Sequence, residues 1–258
     1  MLQLEFAFAS DRGDVRPTNQ DRLFAKVGII NDVSCGLFCV ADGMGGLSNG
    51  HIAASISAET IENWWEARLL QLAAKDVAIG IIYEELTSLF YFINSQILVQ
   101  SCEDGSKAGT TCSVLLIIGD TYFIAHAGDT RIYATQKKLI SGSRIIQLTE
   151  DHTWLAEQIR RGGMAEEELL KHPKRNMLTS CLGVFEYPKV FTSAGLIDKN
   201  SVFILASDGL YRNITEQEMA KLSTRFSNVT DLASELIKMS SERIATDNVS
   251  VVAVRCVA

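Results

Sequence analysis

An α+β fold is predicted for this 258-residue chain. Residues 112–118, 122–127 and 131–135 follow one another as short apolar strands with Gly119-Asp120 as the first turn, which makes a meander and not a β-α-β alternation. Two long stretches instead place apolar residues at helical spacing, through Ala53, Ile56, Ile61 and Trp64 and through Ile82, Leu86, Leu89, Ile93 and Ile97. Separate runs of strands and pairs of helices belong to the α+β class.

Each element has its own signal. Leu2, Leu4, Phe6 and Phe8 alternate with Gln3, Glu5 and Ala7, the period of a strand with one face on a core. Residues 22–27 and 37–41 read as further strands, and the two helical stretches begin after Ser48. The segment 151–183 is more polar, helix-like at Leu155 and Ile159, and carries Lys171, His172, Lys174 and Arg175 around Pro173; it reads as a solvated surface insertion. Strands resume at Val190 and over 202–206. Thr215 with Glu218 three residues on makes a capping box for a short helix. Leu232, Leu236 and Met239 mark another helix, and residues 249–254 close the chain as a strand. Three prolines and no repeat or low-complexity tract leave no linker, so a single domain over 1–258 is expected.

Composition narrows the function. A hydrophobic share of 47% with 21% charged residues is that of a globular chain, and the net charge of −7 repels phosphate backbones and anionic lipid, so neither nucleic acid nor a membrane surface is an expected partner. The six cysteines include no C-x-x-C pair and read as reduced, mostly buried thiols; Cys35 and Cys39 have a spacing used by some zinc sites, but they sit in a strand-like segment with no second pair nearby. The start of the chain lacks the basic, then apolar, pattern of a signal peptide, and no apolar run reaches the ~18–20 residues of a membrane span. A cytoplasmic monomer is expected.

Gly43-Met44-Gly45-Gly46 fails both nucleotide-loop patterns, because Ser48 and His51 stand where glycine and lysine are required. Aspartates at the ends of apolar strands are more informative: Asp42, Asp129, Asp208 and Asp247. One such aspartate is ordinarily a turn residue. Four whose strand ends converge would repel one another unless cations lie between them, and hard divalent ions with oxygen ligands meet that need. With only four histidines in the chain, Mg²⁺ or Mn²⁺ suits better than zinc.

Six segments in order, Ser10-Asp11-Arg12-Gly13-Asp14-Val15-Arg16-Pro17-Thr18-Asn19-Gln20-Asp21, Val40-Ala41-Asp42-Gly43-Met44-Gly45-Gly46, Gly109-Thr110-Thr111, Gly128-Asp129-Thr130-Arg131, Ser207-Asp208-Gly209-Leu210 and Asp247-Asn248-Val249-Ser250, resemble the metal-dependent protein serine/threonine phosphatases of type 2C, bacterial branch. The resemblance implies a four-layer αββα sandwich of two antiparallel sheets flanked by pairs of antiparallel helices, with residues 151–183 as a flap beside the site. It implies that Asp42 bridges two Mn²⁺ or Mg²⁺ ions, that the Gly43 carbonyl, Asp208 and Asp247 complete their protein ligands, and that Asp21 holds metal-bound water. Asp129 and Asp208 would hold a third ion, and Arg16 would grip the substrate phosphate. Arg16, Asp42 and Asp208 are thus the expected catalytic residues, with metal-activated water as nucleophile. The implied partners are phosphorylated proteins, with a serine/threonine kinase and its targets as counterparts.

Two positions depart from the family pattern. Met44 stands where many eukaryotic members have histidine, which leaves the proton donor to the leaving group unassigned, and Gln20 stands where some relatives have glutamate. His51 and His126 are candidate donors, but a helix-face and a strand position favour structural roles. A phosphoprotein-binding pseudophosphatase and a metallohydrolase of small phosphate esters are the alternatives; the intact aspartate set argues against the former.

Overall fold

The computed structural model describes residues 2–44, 49–73, 77–137, 143–162, 165–243 and 246–257; Gly45, Gly46 and Ser48 of the glycine-rich segment lie outside them. Ten strands among the described residues form two antiparallel sheets. In the first, β1 (Gln3–Asp11) pairs with β10 (Val249–Val257), followed by β9 (Val202–Ala206), β6 (Arg131–Lys137) and β7 (Ser143–Gln147). The second runs β2 (Arg22–Ile30), β3 (Val33–Ala41), β4 (Cys112–Ile118), β5 (Thr121–Ala127) and β8 (Phe191–Leu196).

Strand alternation explains the layers. Successive side chains of a strand point to opposite faces, and the central strands are apolar on both. On β3 and β4, Leu37, Cys39, Val114 and Leu116 meet the helices α1 (Gly50–Leu72) and α2 (Ile79–Asp104), while Phe38, Val40, Leu115 and Ile117 meet the other sheet. On β9 and β10, Ile204, Ala206, Val251 and Ala253 meet α5 (Asp208–Tyr211), α6 (Glu216–Arg225) and α7 (Val229–Ser241), while Phe203, Leu205, Val252 and Val254 face inward. Each fully buried large side chain contributes about 1.5–3 kcal/mol, so three separate cores hold four layers together. The αββα sandwich implied by the resemblance is the observed architecture.

Local signals place the remaining elements. Thr215 Oγ1 accepts the Glu218 N–H at 3.3 Å, and Glu218 Oε2 accepts the Thr215 N–H at 2.9 Å, which is the capping box read from the sequence. The segment 151–183 carries α3 (Trp154–Arg161) and α4 (Glu166–Lys171), and its base is closed where Thr153 pairs with Leu178. Cys35 and Cys39 lie in the apolar core under α1 and α2, with the Cys39 and Cys112 sulfurs 3.7 Å apart. Among the described elements, β7, α4 and the single turn α5 had no clear signal in the pattern.

Antiparallel pairing has one consequence for function. The C-terminal ends of β1, β3, β5 and β9 and the N-terminal ends of β2, β4, β6 and β10 all fall at the same end of the sandwich, as the registers Asp11↔Val249, Arg22↔Ala41, Cys112↔Ala127 and Arg131↔Ala206 record.

Candidate active site

That end holds a cleft of about 440 Å³, lined by Arg16, Asp42, Gly43, Asp129, Asp208, Arg212 and Asp247 on one side and by Met177, Leu178, Cys181, Val184 and Phe185 on the other. Each carboxylate is fixed by the turn that carries it. The Asp42 carbonyl accepts the Thr111 N–H at 2.9 Å and the Thr110 hydroxyl at 2.8 Å, and the Gly43 backbone pairs with Thr110. Gly209 lets the Asp208 turn lie against the start of β10: a Cβ there would sit 2.1 Å from the Asn248 carbonyl oxygen.

Asp129 is set by the Gly128 peptide. Its N–H donates to His152 Nδ1 at 3.2 Å, and its carbonyl accepts from the His152 backbone N–H at 2.7 Å and from His126 Nε2 at 3.0 Å. Burial lowers the His126 pKa to about 4 and that of His152 to about 3, so both imidazoles are neutral braces at physiological pH. Gly128 has φ +121°, and an added Cβ would meet Thr111 Cβ at 2.4 Å. Gly128→Ala should therefore cost about 1–3 kcal/mol of stability from overpacking and displace Asp129; an unchanged urea midpoint would contradict this.

The electrostatics are strained. Asp21, Asp129 and Asp208 are 4%, 7% and 8% exposed. Burial, then repulsion from Asp208, pushes the Asp129 pKa up to about 7; burial raises Asp21 to about 6. Asp42 lines the cleft, and burial together with repulsion from Asp21, Asp208, Asp129 and Asp247 holds its pKa well above the ordinary carboxylate value. Both Asp21 carboxylate oxygens and Asp208 Oδ1 are buried without a hydrogen-bond partner. The hydroxyls of Ser207 and Ser250 lower the Asp21 pKa in part, without offsetting the cost of burial.

Two arginines are interleaved with these acids. Arg16 donates from Nε and Nη2 to the two Asp247 oxygens, each at 2.7 Å, and Arg212 Nη2 lies 2.9 Å from Asp208 Oδ2. Among the described residues no three acidic, histidine or cysteine side chains close round a common point. The donor set nevertheless fits hard divalent cations: it is all oxygen, it holds orphaned buried oxygens, and its members repel one another. Cations at Asp247 would have to displace Arg16.

A model of the family described as protein phosphatase 2C matches residues 15–247. The chain belongs to the protein phosphatase 2C family. It is 28% identical over 250 residues to the serine/threonine phosphatase stp of Listeria welshimeri, covering 96% of this chain and 94% of that one. The protein phosphatase PhpP of Streptococcus pneumoniae is 28% identical over 252 residues, with 96% of each chain covered. The solved serine/threonine phosphatase of S. agalactiae superposes with a TM-score of 0.82 at 27% identity over 98% of this chain and 99% of that one. The PstP catalytic domain, solved in complex with two manganese ions, shares the fold at a TM-score of 0.79 and 24% identity, with 100% of both chains covered.

All seven residues singled out in this 2C-family sequence, Arg16, Asp21, Asp42, Gly43, Asp129, Asp208 and Asp247, gather at this end of the sandwich. His51 lies exposed on α1, while His126 is committed to Gly128 and Ser113. Sequence reasoning assigned no role to Asn248 or Arg212. Asn248 ties three loop positions to β10: its Oδ1 accepts the Gln20 N–H at 2.9 Å, and its Nδ2 donates to the carbonyls of Arg12 at 2.8 Å and Thr18 at 3.1 Å, which holds the Arg16 loop over Asp247. Its place beside Asp247 in the last motif was the available signal.

Proposed function

We propose that this cleft is the catalytic centre of a metal-dependent protein serine/threonine phosphatase acting on phosphoserine and phosphothreonine, with residues 1–258 as one catalytic unit and 151–183 as its flap. The observation that carries the reading is the acidic group itself: Asp21, Asp42, Asp129, Asp208 and Asp247 come from both sheets into one buried, mutually repelling cluster, and Asp208 Oδ1 is left without a hydrogen-bond partner. A binding module has no need of so costly a cluster. The family and the named relatives, which are phosphatases, support the same reading.

In this proposal Asp42, the Gly43 carbonyl, Asp208 and Asp247 hold Mn²⁺ or Mg²⁺, and Asp21 stands behind them. When bound, such ions bring the pKa of a water near neutral and offset charge on the transferring phosphoryl oxygens. Any third ion would fall to Asp129 and Asp208, where it competes with the Arg212 guanidinium. Arg16 exchanges one bidentate partner for another, since the fork that grips Asp247 matches two phosphate oxygens equally well. Met177, Leu178, Val184 and Phe185 form the apolar wall that shields the phosphate from bulk water. Arg16→Ala should lower kcat/KM by about 2–4 kcal/mol, the cost of removing one partner of a charge-assisted pair; an unchanged kcat/KM would confine Arg16 to its pairing with Asp247.

The assay that tests the function uses a phosphoserine peptide and p-nitrophenyl phosphate, each with Mn²⁺ and with excess chelator. Peptide dephosphorylation with Mn²⁺ and none with chelator is expected. Tight peptide binding without phosphate release would favour the binding-only reading, and turnover of the small ester alone would favour a small-ester hydrolase. A cytoplasmic monomer working opposite a serine/threonine kinase and its phosphorylated targets is the setting that accompanies this reading. No helix among the described residues is long and apolar enough to cross a membrane.

A further inference from the structure

Arg212 follows α5 directly, one helical turn after Asp208, so its side chain rises on the same face. Its Nη2 lies 2.9 Å from Asp208 Oδ2 and 3.9 Å from Asp129 Oδ2. The first contact is local, but the second is not: Asp129 arrives on the turn between β5 and β6, braced independently by His126 and His152. Tyr211, the neighbour of Arg212, closes the connection by donating its hydroxyl to the Asp129 carbonyl at 2.9 Å. The guanidinium thus spans the two carboxylates that the resemblance assigns to a third ion, and it lines the cleft with them.

Charge balance points the same way. Two divalent ions leave one negative charge uncompensated on the five aspartates, and the single positive charge of Arg212 cancels it. Arg16 adds one further positive charge to the cleft, so a third divalent ion beside both arginines would leave three excess positive charges before substrate enters. We propose that Arg212 is a built-in cation in place of a third metal ion, so that this phosphatase operates with two bound ions while Arg212 positions Asp208 and neutralises Asp129. Arginine does not give up a proton in proteins, so Arg212 stabilises charge in the cleft without protonating the leaving group. The inference rests on the assignment of the two core ions to Asp42, Asp208 and Asp247.

Calorimetric titration of metal-free protein with Mn²⁺ decides it, with thermal melting as the check that each variant is folded. The parent and Arg212→Lys should take up two equivalents. Arg212→Gln and Arg212→Ala should acquire a third, weaker equivalent, which Asp129→Ala in the same background should remove. Three equivalents in the parent, or only two in both folded uncharged variants, would overturn the proposal. The core assignment fails by a different sign: Asp42→Asn would then bind as many ions as its parent, whatever stands at position 212.

Discussion

Asp42→Asn is expected to lower kcat at saturating Mn²⁺ by at least about 10³-fold, roughly 4 kcal/mol of transition-state stabilisation, with the fold retained. The substitution keeps the volume and removes the charge at the one carboxylate that four others repel. For the same reason the metal-free variant should be more stable than the parent at neutral pH, where the parent pays for burying that charge. Asp208→Asn should lose turnover similarly without the gain in stability, because Arg212 then loses its 2.9 Å partner. Melting curves in chelator and single-turnover rates in Mn²⁺ measure the two effects, and turnover within tenfold of the parent would remove Asp42 from the centre.

In chelator, the stability of the parent should fall as pH rises from about 6.5 to about 8. A carboxyl whose folded pKa is raised above its unfolded value contributes stability that is present at low pH and lost as pH climbs through the folded pKa. Asp129, raised to about 7, is the group that titrates in this window. Below it the balance is mixed. His126 and His152, lowered to about 4 and 3, act in the opposite sense, since the unfolded imidazoles take up protons below about 6.5. At about 1.4 kcal/mol per pH unit for each proton released, with the slope fading once Asp129 is ionised, the loss over this range should be about 1 kcal/mol. Mn²⁺ should abolish or reverse the slope, because cations bind the ionised carboxylates. Denaturant midpoints across this range provide the test, and metal-free stability that rises with pH would sink the electrostatic account.

The sequence revealed most of the scaffold because its central strands are covered on both faces, which leaves unbroken apolar runs such as those of β3, β4 and β9. β7 escaped because Ser143 to Gln147 is a short edge strand with only two apolar residues, and α5 is a single turn too brief to show a period. The aspartates were legible for a geometric reason: acids that follow one strand and precede its antiparallel neighbour fall at the same end of a sheet. Partners distant in sequence were not legible. Arg16 reaches Asp247 across 231 positions, and Arg212 reaches Asp129 through a contact that only tertiary packing creates. Asn248 was visible as a motif residue, yet its function as a tie depends on where the Arg12 to Gln20 loop returns.

The acids of the cleft belong to neither sheet alone. Asp42 hangs from β3 on one side and Asp208 and Asp247 from β9 and β10 on the other, with the hydrocarbon of Phe38, Val40, Leu205 and Val252 as the spacer between. The centre works like a pair of calipers whose jaws are the strand ends and whose hinge is the inter-sheet core. Thinning that core would narrow or skew the jaws without touching any charged group. On the proposed assignment, catalysis gauges interior thickness and would fail while every secondary-structure element is still in place.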